Sequence, residues 1–457
     1  MGYNSNKKSS FGGFLALALI IGGGAYVYFS STFERVAPEV KVVSNGYWNL
    51  KKPLKIQLSD ASGIKSYKVI LQTSTDQTTL INEQLLAPQA SINLEVKPPR
   101  TAYSAKDKEI KVIIEASDGS KWNLFKGNNV TKILTLKIDK KKPQLSIVSN
   151  SYKISRGGSA LVVFKAKDDN LEELYIEGND HKHFKPQSFY KDGYYISLLA
   201  WPVRDENFKA TVVAKDKAGN ISKSYVPLYL KQKDYRLSKI KLSDRFLKGK
   251  IADLADEFIE TEGVENSLEQ FKIINEDVRA KNEKLIHEIT SKVTDDTMIK
   301  SFKIHRMYPL KNAQVVAHFG DHRKYYYDGE FISEAYHLGL DLASNAMAKI
   351  RPQNKGKVVF ADYNGLYGNM PVISHGLGLY TIYGHCSSIK VNVGDEIHRG
   401  ETIANTGKTG YAMGDHLHFG VLVQGIEVRP QEWMDKQWIK LNINDVIKSA
   451  KEIIERN

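Results

Sequence analysis

The chain has 457 residues with 65 Lys/Arg against 52 Asp/Glu, a formal net charge of +13, and one cysteine. That length implies several domains, and a single cysteine excludes any intramolecular disulfide framework. The basic balance admits an anionic partner such as wall polymer, lipid head groups or nucleic acid.

Before Glu34 the only side-chain charges are Lys7 and Lys8, and from Phe11 to Phe29 there is none. Residues 1–10 therefore read as a cytoplasmic tail and 11–30 as a single transmembrane helix, nineteen apolar residues just spanning a hydrocarbon core. Lysines ahead of the segment place the N-terminus inside, so everything after Ser30 lies outside the inner membrane, in the periplasm. A cleaved signal peptide is the competing reading, with Phe11–Ile21 as its apolar core and Gly23-Gly24-Ala25 as a small-residue site. The Tyr26-Val27-Tyr28-Phe29 continuation favours the anchor, and export makes nucleic acid an unsuitable partner.

From Val42 to Lys233 strand-like runs alternate with turn signals. Examples are Tyr67-Lys68-Val69-Ile70-Leu71-Gln72, Lys111-Val112-Ile113-Ile114-Glu115, Ala160-Leu161-Val162-Val163-Phe164 and Ala210-Thr211-Val212-Val213-Ala214. Val43-Ser44-Asn45-Gly46-Tyr47 recurs as Val148-Ser149-Asn150-Ser151-Tyr152, which predicts two tandem sandwiches resembling bacterial immunoglobulin-like modules, over 40–140 and 141–233. They carry no catalytic constellation and read as spacer and adhesion surface. Residues 140–250 hold 23 Lys/Arg against 12 Asp/Glu, so the second sandwich would be drawn to anionic wall polymer or lipid head groups, or is simply a lysine-rich soluble surface. Residues 304–435, with 12 against 13, are near neutral.

The period turns helical over 243–300, predicting a helical hairpin linker. One helix runs from about Asp244 to Glu260 and breaks at Gly263. A second starts at the capping box Asn266-x-x-Glu269 and carries the stripe Phe271, Ile274, Val278, Leu285 and Ile289. Lying over an active-site groove, the hairpin could also regulate access. At the C-terminus, 443–457 reads as a helix that packs Val446, Ile447, Ala450, Ile453 and Ile454 against the catalytic domain.

Between these helices lies a domain over 304–436 with nine of the twelve histidines. In Gly414-Asp415-His416-Leu417-His418-Phe419-Gly420-Val421 two imidazoles share one face of a strand. In His337-Leu338-Gly339-Leu340-Asp341-Leu342-Ala343 the leucines take one face and His337, Gly339 and Asp341 the other, with Gly339 leaving room above the sheet. Two such strands side by side make a His/His/Asp site with an open position, the composition of a catalytic zinc centre rather than a structural one. His181-Lys182-His183, with no carboxylate motif nearby, reads as solvated surface.

These motifs continue through His375-Gly376-x-Gly378-x-Tyr380, Tyr383-Gly384-His385, Val393-Gly394-Asp395, Gly400-Glu401-x-Ile403, Thr406-Gly407-x-Thr409-Gly410 and Pro430-x-x-Trp433. The run from His318 to Asp435 resembles the catalytic domain of the LytM/lysostaphin-type zinc metallopeptidases, which cut peptide bonds of bacterial peptidoglycan. The resemblance implies an antiparallel β-sheet domain binding one Zn2+ through His337, Asp341 and His418, with His385 and His416 catalytic. It implies peptidoglycan stem peptides as substrate and other cell-wall enzymes as partners. A membrane anchor without disulfides suits a Gram-negative periplasm, where such enzymes cut the D-Ala to meso-diaminopimelate crosslink, with glycine-bridge cleavage as the alternative. Some relatives of this type have lost zinc ligands and activate amidases or scaffold division machinery, but all five positions are filled here. Cys386 stands where the family has leucine, and a buried thiol replaces leucine in packing; the alternative, a fourth metal ligand, would close the open position. Arg323 and Tyr325 are candidates to line the substrate groove, a cation there meeting peptide carboxylates. His375 is a further candidate, either beside the substrate or supporting the site. His318, His322 and His398 read as ordinary loop histidines.

Overall fold

A computed structural model describes residues 11–98, 107–179, 182–293 and 297–456, and the predicted tail 1–10 lies outside them. Two compact units emerge, one comprising 1–142 with 215–221 and the other 143–214 with 222–457. In the first, Phe11–Phe29 is helical throughout. Among the described residues no helix is long and apolar enough to cross a membrane, so the expected transmembrane span finds no support there.

The predicted first sandwich is one six-stranded sheet rather than two sheets. Its strands Leu54–Gln72 and Gln77–Val96 are long enough to serve both layers. The pairing of Leu54–Gln72 shifts between Ser59 and Ile64, where Gly63 takes φ +80°, so the strand turns and folds the sheet over its own apolar face. Leu58, Ile64, Val69, Val112 and Ile114 fill the space between the two halves.

In the second unit the expected two-sheet sandwich is present as two four-stranded sheets. It is not a detached spacer, because its core runs on into that of the C-terminal domain. The Ser159 amide donates to Glu432 Oε2 (2.9 Å), Trp433 Nε1 donates to Ser159 Oγ (3.2 Å), and the Lys185 amide donates to Gln424 Oε1 (2.7 Å). Burial pushes the Glu432 carboxyl up to about 7, although Arg429 acts in the opposite direction. The C-terminal helix Asp445–Arg456 buries Val446, Ile447, Ala450 and Ile454 but leaves Ile453 38% exposed. It packs on sandwich strands Gln144–Asn150 and Ser159–Lys167 rather than on the sheet of the expected catalytic domain. Lys191 Nζ, donating to the Ile454 carbonyl (3.1 Å), fixes its end there.

The helical segment follows its predicted start, since Asn266 caps the Leu268 and Glu269 amides at 2.9 and 3.2 Å. A π-turn over Ile274–Val278 then inserts an extra residue and rotates the buried face. Phe271, Ile274 and Val278 are buried as expected and Ile289 packs half-buried beside Ile286, but the most deeply buried positions further on are Asn282, Ile286 and Thr290, with Leu285 only half-buried. The segment contacts the C-terminal domain: Asn282 Oδ1 accepts the Leu366 amide (2.9 Å) and Asn275 Nδ2 donates to Ser333 Oγ (2.8 Å). Phe271, fully buried, meets Tyr325 edge-on with ring centroids 5.1 Å apart.

The segment is thus a structural wall. A chain starting at Lys303 is expected to melt lower than the full chain and to be no more active, because Tyr325, Ala335 and Leu366 lose their cover. Phe271→Ala isolates the packing contribution at about 3–5 kcal/mol, read as a loss of thermal stability by calorimetry. A gain in activity on truncation would restore the regulatory reading.

The C-terminal domain is built on an eight-stranded sheet running 314–317, 340–343, 417–423, 379–384, 369–374, 356–363 and 396–397, with 426–428 beside 417–423. Leu417–Val423 is buried at every position, as a strand covered on both faces must be. Its edges and loops form one side of a groove. The three-stranded sheet Leu237–Lys241, His322–Tyr327 and Glu330–Tyr336, together with the helical segment, forms the other.

Candidate metal centre

Antiparallel pairing sets Asp341 directly opposite His418 and Gly384 on the other side of His418. His337 lies not in the strand, as its alternation predicts, but in the connection between Glu330–Tyr336 and Leu340–Ala343. Its amide and carbonyl bond to Asp321 and Gly320 (3.0 and 2.7 Å), which turns the side chain toward Asp341. The three predicted ligands therefore converge. His337 Nε2 to Asp341 Oδ1 is 3.0 Å, His418 Nδ1 to Asp341 Oδ1 is 2.9 Å, and His337 Nε2 to His418 Nδ1 is 3.2 Å. All three residues are buried.

The tautomers follow from the partners. His337 Nδ1 (2.9 Å from the His318 carbonyl), His385 Nδ1 (2.8 Å from that of Thr409) and His416 Nδ1 (2.8 Å from that of Gly414) face oxygens that can only accept. In the neutral ring each must donate there, which leaves Nε2 as a lone pair. His318, read from sequence as ordinary, thus orients a ligand through its backbone. Burial holds His385 neutral, pushing it down to about 3, with His418 and His416 adding to the effect. Burial likewise lowers His418 against the pull of Asp341. His385 adopts φ +64°, a conformation uncommon for a side-chain-bearing residue and one that clusters at functional sites.

This donor set fits a divalent ion. His337 Nε2 and Asp341 Oδ1, only 3.0 Å apart, must share either a proton or a cation. Tetrahedral zinc with bonds of about 2.0–2.1 Å places its ligand atoms roughly 3.3–3.4 Å apart, close to the observed triangle. The remaining vertex faces a groove of about 600 Å³ whose lining includes His385 and His416. The rings of these two stand 4.8 Å apart, and His416 Nε2 is 3.7 Å from Asp341 Oδ2.

The other predicted residues divide. Arg323 lines the groove, its Nε donating to Asp321 Oδ2 (3.3 Å). Tyr325 also lines it but is only 4% exposed, packed under Phe271. His375 lies outside the groove: Nδ1 bonds to the Lys355 carbonyl (2.8 Å) and Nε2 to Thr381 Oγ1 (2.9 Å), so it braces two strands instead of meeting substrate. Cys386 is fully buried with its thiol on the Tyr383 carbonyl (3.1 Å), a packing role and not a ligand. Sequence reasoning missed Arg279, which lines the groove from the helical segment and is held by Asn275 (Nη2 to Oδ1, 2.9 Å). The signal was a basic residue four positions after an asparagine on the buried stripe.

Burial pushes His375 down to about 4 from an ordinary value of 6.5. The unfolded chain takes up that proton first, so this contribution to stability is complete above pH 6.5 and declines as pH falls toward 4. His375→Gln is expected to flatten the melting temperature against pH across this window while zinc content stays unchanged.

A buried His-Asp-His triangle open to a groove that also holds the imidazoles of His385 and His416 defines a candidate metal centre of hydrolytic type. The chain matches, over residues 335–430, the family described as Peptidase family M23. It is 35% identical over 119 residues to the peptidoglycan DD-endopeptidase ShyB of Vibrio cholerae, covering 26% of this chain and 27% of that protein. It is also 34% identical over 94 residues to the DD-carboxypeptidase/endopeptidase Mpg of Neisseria meningitidis (21% of this chain, 22% of that one). To the murein hydrolase activator EnvC of Escherichia coli it is 31% identical over 98 residues (21% and 23%). The chain thus matches about a quarter of the length of these relatives.

Proposed function

We propose that this chain is a zinc-dependent endopeptidase of peptidoglycan that cuts the D-Ala to meso-diaminopimelate crosslink during wall remodelling. The observation that carries the reading is the triangle of His337 Nε2, Asp341 Oδ1 and His418 Nδ1, open on one side to a groove. Zinc held there would supply Lewis acidity toward a water and the scissile carbonyl. His385 and His416, each with an Nε2 lone pair, are placed to take the proton from the attacking water and carry it to the leaving amine. Arg323 and Arg279 give the groove two guanidinium groups suited to peptide carboxylates.

The uncharged run Phe11–Phe29 supports a further proposal, that the chain is tethered to the inner membrane with the M23 domain in the periplasm. Retention of the full chain in the membrane fraction after a salt wash tests it, and release into the soluble fraction counts against it.

The test of the enzyme reading joins metal analysis to muropeptide digestion, beside a His418→Ala control. One zinc per chain and cleavage lost in the control support it. The likeness to EnvC supplies a second reading, a binding module that activates amidases or organises other cell-wall enzymes. Zinc-free protein with undiminished wall binding would favour that reading.

A further inference from the structure

The M23 part is near neutral in sequence, yet its charges are sorted in space. A concavity of about 1720 Å³ lies between the 304–312 segment, the loop 344–353, the turn at Arg399 and the stretch 435–444. Arg306, Lys311, Lys349, Arg351, Arg399 and Lys436 all line it, and Asp435 is its single carboxylate. Asp435 is occupied in capping the Gln437 amide (2.7 Å). None of the six cations has an ion-pair partner among the described residues, whereas Lys440 at the rim is paired with Asp445 (2.7 Å). Five of the twelve Lys/Arg between 304 and 435 thus face one hollow with one of the thirteen acids. Like charges gathered on a concave wall repel one another, and an anion whose charges are spaced to match relieves that cost.

The hollow adjoins the groove. Ala343 lines the groove and Ser344 the hollow, and the Met347 amide bonds to Asp415 of the groove wall (3.0 Å). A polymer extending well beyond the metal centre is long enough to contact both. Its concave form suits a chain rather than the flat face of a bilayer. We infer that this hollow is an exosite for a polycarboxylate chain, holding the free carboxylates of stem peptides on the strand whose crosslink lies in the groove. The inference rests on the peptidoglycan reading for its ligand, but it concerns binding and is read separately from hydrolysis.

The test uses the full chain and a Lys349→Ser/Arg351→Ser/Arg399→Ser variant, all three positions being exposed and outside the groove. Binding is measured by co-sedimentation with intact sacculi at low and raised salt, and with sacculi whose carboxylates have been amidated by carbodiimide chemistry. The variant is expected to bind untreated sacculi at least about tenfold more weakly and with a shallower salt dependence. Its melting temperature and its turnover of a small soluble muropeptide dimer should match those of the parent. Amidation should bring the parent down to the level of the variant. Equal binding by parent and variant would overturn the exosite, as would parent binding that survives amidation. A difference seen only on phosphatidylglycerol vesicles would overturn it too, assigning the hollow to lipid. If neither protein cuts muropeptides but sacculus binding still needs the three cations, the exosite stands and the hydrolase reading fails.

Discussion

Asp341→Ala is expected to yield a folded, zinc-free protein whose muropeptide turnover falls by more than about a thousandfold. Asp341 touches both histidines of the triangle, at 3.0 and 2.9 Å, and its loss removes a ligand together with the anion that balances the ion's charge. The carboxyl is 9% exposed. Burial alone would resist its ionisation, but the charge of His337 and hydrogen bonds from His337 and His418 outweigh it and hold the group well below the ordinary 3.8. A carboxyl depressed in this way stabilises the fold above its unfolded value, and that stability is lost as pH falls below about 3.8 through the folded value. Asp341→Asn keeps the shape but offers a neutral oxygen, so it should bind zinc weakly and lose the acid-side slope. His385→Ala separates ligand from base. It should keep its zinc and lose about 10²–10⁴ in turnover. Zinc analysis beside kcat for the three variants checks the scheme. Full zinc occupancy in Asp341→Ala would show that the triangle is not where the ion sits.

The metal centre was legible because its chemistry is written in residue type and short spacing. His337, Asp341, His416 and His418 are separated by steps that survive folding, and strand pairing placed Asp341 across from His418 as alternation predicts. What could not be read is set by tertiary context. Beyond the π-turn at Ile274–Val278 the buried stripe takes in Asn282 and Thr290, polar positions that a search for apolar periodicity does not mark. Ile453 alternates with its neighbours as a core residue does, but the C-terminal helix packs on the sandwich and leaves it outside. His375 sits in a motif shared with catalytic residues, yet the Lys355 carbonyl and Thr381 claim both its nitrogens. The segregation of charge around Arg351 and Arg399 was hidden because a sum over 304–435 cancels what the fold separates.

Gly339→Ala should come close to a ligand deletion in its effect on activity, although Gly339 touches no substrate. The sequence suggested that Gly339 leaves space above the sheet, and the His418 ring fills that space. A Cβ at this position would stand 2.4 Å from His418 Nε2 and 2.5 Å from Cε1. The ring has nowhere to withdraw. Tyr367 abuts it edge-on at 5.4 Å, His337 and His385 stand at 5.0 and 5.8 Å, and Gly384 across the pair comes so close that its own Cβ would meet His418 Cβ at 3.3 Å. His418 Nε2 is buried without a hydrogen-bond partner among the described residues, so no bond there resists displacement, and the movement is passed to Nδ1 and its place in the triangle. A metal site tolerates errors of a few tenths of an ångström, and disturbing a ligand's support weakens binding by about 10–100-fold. A direct clash with the ligand ring should reach the upper end of that range or beyond. Gly249→Ala, with nothing within 4 Å of its Cβ, serves as control and should leave zinc affinity unchanged. Competition with a chelator measures the affinity of each variant, and circular dichroism checks that the sheet is intact. Unaltered zinc affinity in Gly339→Ala would mean that the His418 ring does not lie over this glycine, and the ligand assignment would lose its geometric basis.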